Sequence, residues 1–200
     1  MQAGSFYAGA ELGYSSHRFT PEYNYTYDRP NSEFANMAYS SEIGWLGGYR
    51  FNLNDLFSGA LQVRMAFSTA DWSIDTDSPA SLSYRIPYAA FISIQPDIAL
   101  TKTLSLMLEA GAAQGLVKEK KDSPSSSRYD FSDWTTGYLG GVGLKFHFVE
   151  GVSFFAIYRY VAYDQIDYRT FLPDGTHWET VSDNPSSTTI NLGFSWDFDL

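Results

Sequence analysis

Along most of the chain, apolar and polar residues alternate with a period of two, and clusters of Gly, Pro, Asn, Asp and Ser interrupt the alternation. Successive side chains of a strand point to opposite sides, so the pattern predicts β-strands with one apolar face each. Eight runs are predicted. The first, over 5–15, sets Phe6, Leu12 and Tyr14 against Glu11, Gly13 and Ser15. The second, over 39–53, sets Tyr39, Ile43, Trp45, Tyr49 and Phe51 against Glu42, Gly44, Gly48 and Arg50, and the third sets Leu61, Val63, Met65 and Phe67 against Gln62 and Arg64. The fourth sets Leu82, Tyr84, Ile86, Tyr88, Ile92 and Ile94 against Arg85 and Ser93, with Pro87 suggesting a bulge. The fifth sets Leu104, Leu106 and Leu108 against Ser105 and Glu109, and the sixth sets Trp134, Tyr138, Val142, Leu144, Phe146 and Phe148 against Gly141, Gly143 and Lys145. The seventh, Phe154 to Val161, is apolar on both faces, so only Arg159 defines its register. The eighth sets Ile190, Leu192, Phe194, Trp196 and Phe198 against Asn191, Gly193, Ser195 and Asp197.

The apolar faces hold no charged residue, whereas the opposite faces carry Glu11, Glu42, Arg50, Arg64, Arg85, Glu109, Lys145, Arg159 and Asp197. A soluble barrel would turn the charged faces to water. Here those faces are also rich in Gly, Ser and Ala, and their charges are of both signs, which suits the crowded interior of a small barrel. Aromatic residues gather at two levels. Tyr14, Tyr39, Tyr84, Trp134 and Tyr160 lie towards one rim, and Phe6, Phe51, Phe146, Phe148, Phe154 and Phe198 towards the other, as two membrane-interface girdles require. Connections alternate in length. Those over 19–37, 72–80, 118–133 and 164–186 are long, and those over 52–58, 101–103 and 150–152 are short. The expected fold is all-β, an eight-stranded antiparallel up-and-down transmembrane β-barrel over 1–200 as one domain. It would sit in a bacterial outer membrane with termini periplasmic and long loops extracellular.

Composition narrows the partners. The net charge of −10 argues against nucleic acid, and the absence of Cys removes disulfides and thiolate metal sites. No stretch is apolar enough for a membrane-spanning helix. The opening Met-Gln-Ala-Gly has neither a basic segment nor an apolar core, so Met1 is read as replacing a signal peptide.

Near the C-terminus, Asn191, Gly193, Trp196 and Phe198 resemble the signal by which outer-membrane proteins are recognised for assembly. Tyr158-Arg159-Tyr160 and Gly47-Gly48-Tyr49-Arg50-Phe51 resemble strands seven and two of the opacity/OmpX/OmpA-like small outer-membrane β-barrel family. The resemblance implies a membrane-embedded scaffold whose loops meet the surroundings, used in related proteins for adhesion, complement evasion or envelope stability. Its partners would be outer-membrane lipid, lipopolysaccharide, the barrel-assembly machinery and an extracellular protein ligand, with the barrel itself a monomer.

The inward charges Glu11, Glu42, Glu109, Arg64, Arg85, Lys145 and Arg159 are expected to form a network that either plugs the lumen or, by exchanging partners, gates a narrow pore for ions or small solutes. His17, His147 and His177 are too far apart in the pattern for a metal cluster, and neither metal nor cofactor is expected. A lipid-modifying hydrolase would need an outward His, and no outward strand face has one, so no catalytic residue is assigned. The segment Lys118 to Arg128 is predicted as a polar flexible loop, with Lys118, Lys120, Lys121 and Arg128 available to anionic lipopolysaccharide groups. Tyr23, Tyr25 and Tyr27 in one long loop, with Tyr163, Tyr168, Phe171 and Trp178 in another, form either an exposed recognition surface or the paired continuation of strands beyond the membrane.

Overall fold

The computed structural model describes residues 2–25, 32–33, 36–68, 72–75, 81–122, 129–171 and 176–198. Among the described residues thirteen strands follow in chain order: β1 (Gln2–Phe19), β2 (Glu22–Tyr25), β3 (Ser32–Glu33), β4 (Asn36–Asn52), β5 (Phe57–Ser68), β6 (Trp72–Asp75), β7 (Ser81–Ala99), β8 (Leu104–Asp122), β9 (Tyr129–Val149), β10 (Val152–Tyr163), β11 (Ile166–Phe171), β12 (His177–Asp183) and β13 (Ser186–Phe198). Eight of them, β1, β4, β5, β7, β8, β9, β10 and β13, pair antiparallel in sequence order. The ring closes between first and last, with Phe6 opposite Phe198 and Ala10 opposite Phe194. A closed ring leaves no unpaired edge along the wall, which is the condition for crossing lipid with strands.

One end carries the tight connections, and each has a local cause. Asn54 accepts the backbone N–H groups of Leu56 and Phe57 at 2.9 and 2.8 Å, and Thr101 accepts those of Thr103 and Leu104 at 3.2 and 3.0 Å. The third turn is two residues long and passes through Gly151 at φ +78°, a conformation that costs a side-chain-bearing residue far more.

The faces are inverted relative to a soluble protein. Leu12 and Leu192 on the outside are 65% and 64% exposed, while Glu11 and Arg159 inside are 2% and 1% exposed. Large apolar side chains such as Trp45, Leu61, Val63, Ile94 and Phe194 continue this band around the wall. An apolar belt of that extent has no stable contact with water, so it requires an apolar solvent. Cross-strand aromatic pairs edge it, Phe6 with Tyr49 and Phe198 at one rim and Tyr14 with Tyr39 at the other. Tyr84 belongs to the second girdle by sequence, but its side chain lies outside the described set.

Two local expectations are corrected and one open alternative is decided. First, the wall runs further than the alternation suggested at the long-loop end: Lys118 to Lys121 belong to β8, paired with β9, and are not loop. The side chains of Lys121 and Arg128 lie outside the described residues. Second, the expected bulge at Pro87 falls between Arg85 and Tyr88 and reverses the parity beyond it. Ile86 is buried inside, and Arg85 opposite Lys118 is carried to the outer face, away from the lumen network. Third, the long connections contain strands. β11, β12, β2 and β3 form a four-stranded sheet, and β6 continues the line of β5 along β7, with Trp72 opposite Tyr84.

Candidate functional site

Five buried charges occupy the middle of the lumen. Arg159 on β10 donates from Nε to Glu109 on β8 at 2.6 Å, and from Nη1 to both carboxylate oxygens of Glu11 on β1 at 2.9 and 3.0 Å. Arg64 on β5 bridges Glu11 and Glu42 on β4. Neutral donors complete the carboxylates: Ser93 and Gln62 donate to Glu109 at 2.7 and 3.2 Å, and Ser15 and Asn191 donate to Glu42 at 3.1 and 3.2 Å. Removing charges from water costs several kcal/mol each, and pairing with multiple hydrogen bonds is what offsets it. Arg64 also lies over the Phe91 ring, 4.5 Å from its centroid.

Lys145 stands apart from this network. It pairs with Asp97 nearer the tight-turn end, where Arg50 pairs with Asp197 and stacks over Tyr7 at 4.9 Å. Asp97 lies beyond Ile94, the last residue of the predicted fourth run; the alternation passes through Pro96, keeping Ser93, Gln95 and Asp97 on one buried face. Asn191, expected as part of the assembly signal, is fully buried on Glu42, while Trp196 and Phe198 face outward at 64% and 40% exposure. Gly193 faces the lumen where a Cβ would meet the Phe155 ring and lie 2.7 Å from the Ala10 carbonyl oxygen.

Apolar layers fill both sides of the central network. Tyr7, Leu46, Ala60, Met107, Phe155 and Ile157 cluster towards the tight turns, and Phe19, Ile86, Val117, Leu139 and Val161 towards the long loops. Between His17, Arg64, Arg159 and Tyr163 a cavity of about 10 Å³ remains, room for roughly one water. His17 is buried here, its two ring nitrogens 2.5 and 3.1 Å from the hydroxyls of Ser187 and Ser40. His147 lies at the tight-turn rim between Ser105 and Ser153. The side chain of His177 lies outside the described set, and among the described residues no group of three His, Cys, Asp or Glu is placed to hold a metal ion.

Above the second girdle the tube continues into the four-stranded sheet. Of the two readings of Tyr168, exposed loop aromatic or paired continuation of a strand, the second holds: it is buried, donating its hydroxyl to Glu119 and stacking on Phe131 with centroids 4.7 Å apart. Its partner across the ladder is Val181, also buried, so this part of the long loop is a strand with an inner face. Thr170 donates to Glu179 at 3.2 Å on the same face. Asp183 sits where the sheet joins the barrel, accepting the Thr20 N–H at 2.7 Å, and burial pushes its carboxyl up to about 6. Tyr23 and Tyr25 lie in β2, Phe171 in β11 and Trp178 in β12, but their side chains, and all of Tyr27, lie outside the described residues.

No curated protein sequence matches the chain. Among solved structures, the outer membrane protease OmpT from Escherichia coli is 7% identical with a TM-score of 0.58, covering 97% of each chain. Neisserial surface protein A (NspA) is 16% identical with a TM-score of 0.53, covering 98% of this chain and 100% of its own. A major outer membrane protein from Thermus thermophilus is 10% identical with a TM-score of 0.52, covering 94% of this chain and 99% of its own. At these identities the likeness is one of fold. The outer membrane protein beta-barrel domain matches residues 1–198, and the chain belongs to that family, a barrel of the bacterial outer membrane.

Proposed function

We propose that this chain is a non-enzymatic, monomeric surface barrel whose long-loop end faces the outside and mediates contact with an extracellular protein or host surface, while the filled barrel contributes to envelope integrity. One observation carries the reading: two of the long connections are built into a four-stranded sheet with its own buried side chains, Tyr168 and Val181, packed against the partly buried Phe131 of β9. A sheet ordered in this way presents its outer face at little entropic cost on binding. The lumen beneath is packed with charge pairs and apolar layers, which suits a support. With the tight turns periplasmic, both termini are periplasmic too, and Trp196 and Phe198 present an outward aromatic stripe to the barrel-assembly machinery.

The test is to replace residues 20–35 and 164–185 with short turns and to graft the same segments onto an inert eight-stranded barrel. Folding of both is checked by heat-modifiable migration on a gel. Adhesion of expressing cells to cultured epithelial cells should fall at least tenfold in the first case and appear in the second. Adhesion that stays with the shortened barrel contradicts the reading.

A further inference from the structure

The lumen does not end flush at the tight turns. Beyond the apolar layer that holds Tyr7 and Met107 lies a bowl of about 340 Å³, within the size range of small-molecule sites. Arg50, Ser105, His147 and Asp197 line its depth, and Tyr7 lies against the Arg50 guanidinium, so the bowl is blind and separate from the central charge network. Arg50 is only 7% exposed. Its Nη1 donates to both oxygens of Asp197 and its Nη2 reaches Ser195 Oγ at 3.5 Å, while its Nε–H has no acceptor among the described residues. Native proteins leave few buried donors in that state, and this one lines a cavity. Asp197 already neutralises the guanidinium, so the acceptor that fits Nε is a neutral carbonyl oxygen and not a second carboxylate. At the mouth stands one exposed charge of each sign, Asp55 in the first turn and Lys102 in the second. Ala99 donates its N–H to the Leu56 carbonyl at 2.8 Å, which ties the two turns together.

We propose that this bowl binds a short zwitterionic peptide, with a peptide carbonyl on Arg50 Nε, the terminal carboxylate on Lys102 and the terminal amine on Asp55. The balance of charge selects the class. Arg50 and Lys102 offset Asp55 and Asp197, so a ligand of one sign meets as much repulsion as attraction, whereas a dipolar one satisfies both ends. A neutral sugar leaves both charges at the mouth unused. With the tight turns periplasmic, the peptides in reach are those of the periplasm and its cell wall, which gives the envelope role proposed above a contact of its own. That compartment rests on the proposed orientation; the chemistry of the bowl does not.

The experiment uses the folded full chain in nonionic polyoxyethylene micelles, titrated with trialanine and followed by NMR. Micelles have no sidedness, so the outcome is independent of which end of the barrel faces out. Trialanine should bind saturably and shift the signals of His147, Ser105 and Asp55, leaving those of β11 and β12 unmoved. Arg50→Lys keeps a cation for Asp197 but has no Nε–H, and should weaken binding about tenfold. Lys102→Gln and Asp55→Asn should each weaken it by about two- to fivefold. The C-terminal amide of the peptide should lose its sensitivity to Lys102→Gln, and the N-acetyl peptide its sensitivity to Asp55→Asn. Glu150→Gln, in the third turn and away from the bowl, should leave the affinity unchanged. Should Arg50→Lys not fold, the two exposed-turn variants and the two blocked peptides carry the test. No saturable binding of trialanine, wild-type affinity in the variants, shifts confined to the long-loop end, or saturable binding of N-acetylglucosamine in place of the peptide would overturn the proposal.

Discussion

Arg159 holds carboxylates from two other strands at once, Glu109 on β8 and Glu11 on β1, and does so with almost no exposure to solvent. Replacing it with Met removes the cation and leaves those carboxylates buried, Glu11 with Arg64 alone and Glu109 with only neutral donors. Breaking a buried pair from one side costs about 3–5 kcal/mol. Urea unfolding of Arg159→Met from lipid vesicles, followed by intrinsic fluorescence, should show a loss of that size, with part of it recovered when Glu109→Gln is added. A loss below about 1 kcal/mol would mean that Arg159 does not organise the lumen.

At the scale of elements, the outer sheet has a sensitive junction. Asp183 closes β12 against Thr20, and burial raises its pKa from 3.8 to about 6. A carboxyl with a raised folded pKa favours the fold fully below the unfolded value, and that contribution is lost as pH rises through the folded value. The sheet should therefore be tightest below about pH 4 and lose on the order of 2–3 kcal/mol by pH 7. Asp183→Asn should slow amide exchange in β11 and β12 at pH 7, after correction for intrinsic rates, and have no effect at pH 4; equal protection at pH 7 would refute this.

The same elements show what the sequence made legible. All eight wall strands and the inside-out segregation of charge were readable because a period of two survives along most runs, the seventh and the bulged fourth excepted, and Glu11, Glu42, Glu109, Arg64 and Arg159 meet in the lumen. Arg85 was misplaced because parity cannot be carried across a bulge: Pro87 announced the irregularity but not the extra residue that reverses the faces. Lys118 to Lys121 looked like loop because this end of β8 lies beyond the aromatic girdle, where the apolar outer face gives way to polar residues. The burial of Tyr168 was left open for the related reason that two of its partners, Glu119 and Phe131, come from strands distant in sequence.

For the whole molecule, a lumen packed on both sides of its charge network conducts only if several layers rearrange together. Purified wild-type protein in planar bilayers should show no discrete openings, and regular stepwise currents would favour a gated pore over a support. The surface-contact role itself depends on orientation. The chain has no native Cys, so single Cys residues can be introduced at Asn24, exposed on β2, and at Asn54, exposed in a tight turn. Intact cells treated with a membrane-impermeant maleimide should label the Asn24→Cys protein and leave Asn54→Cys unlabelled until the outer membrane is broken. Labelling at position 54 with none at 24 would turn the barrel over and contradict the role assigned to its outer sheet.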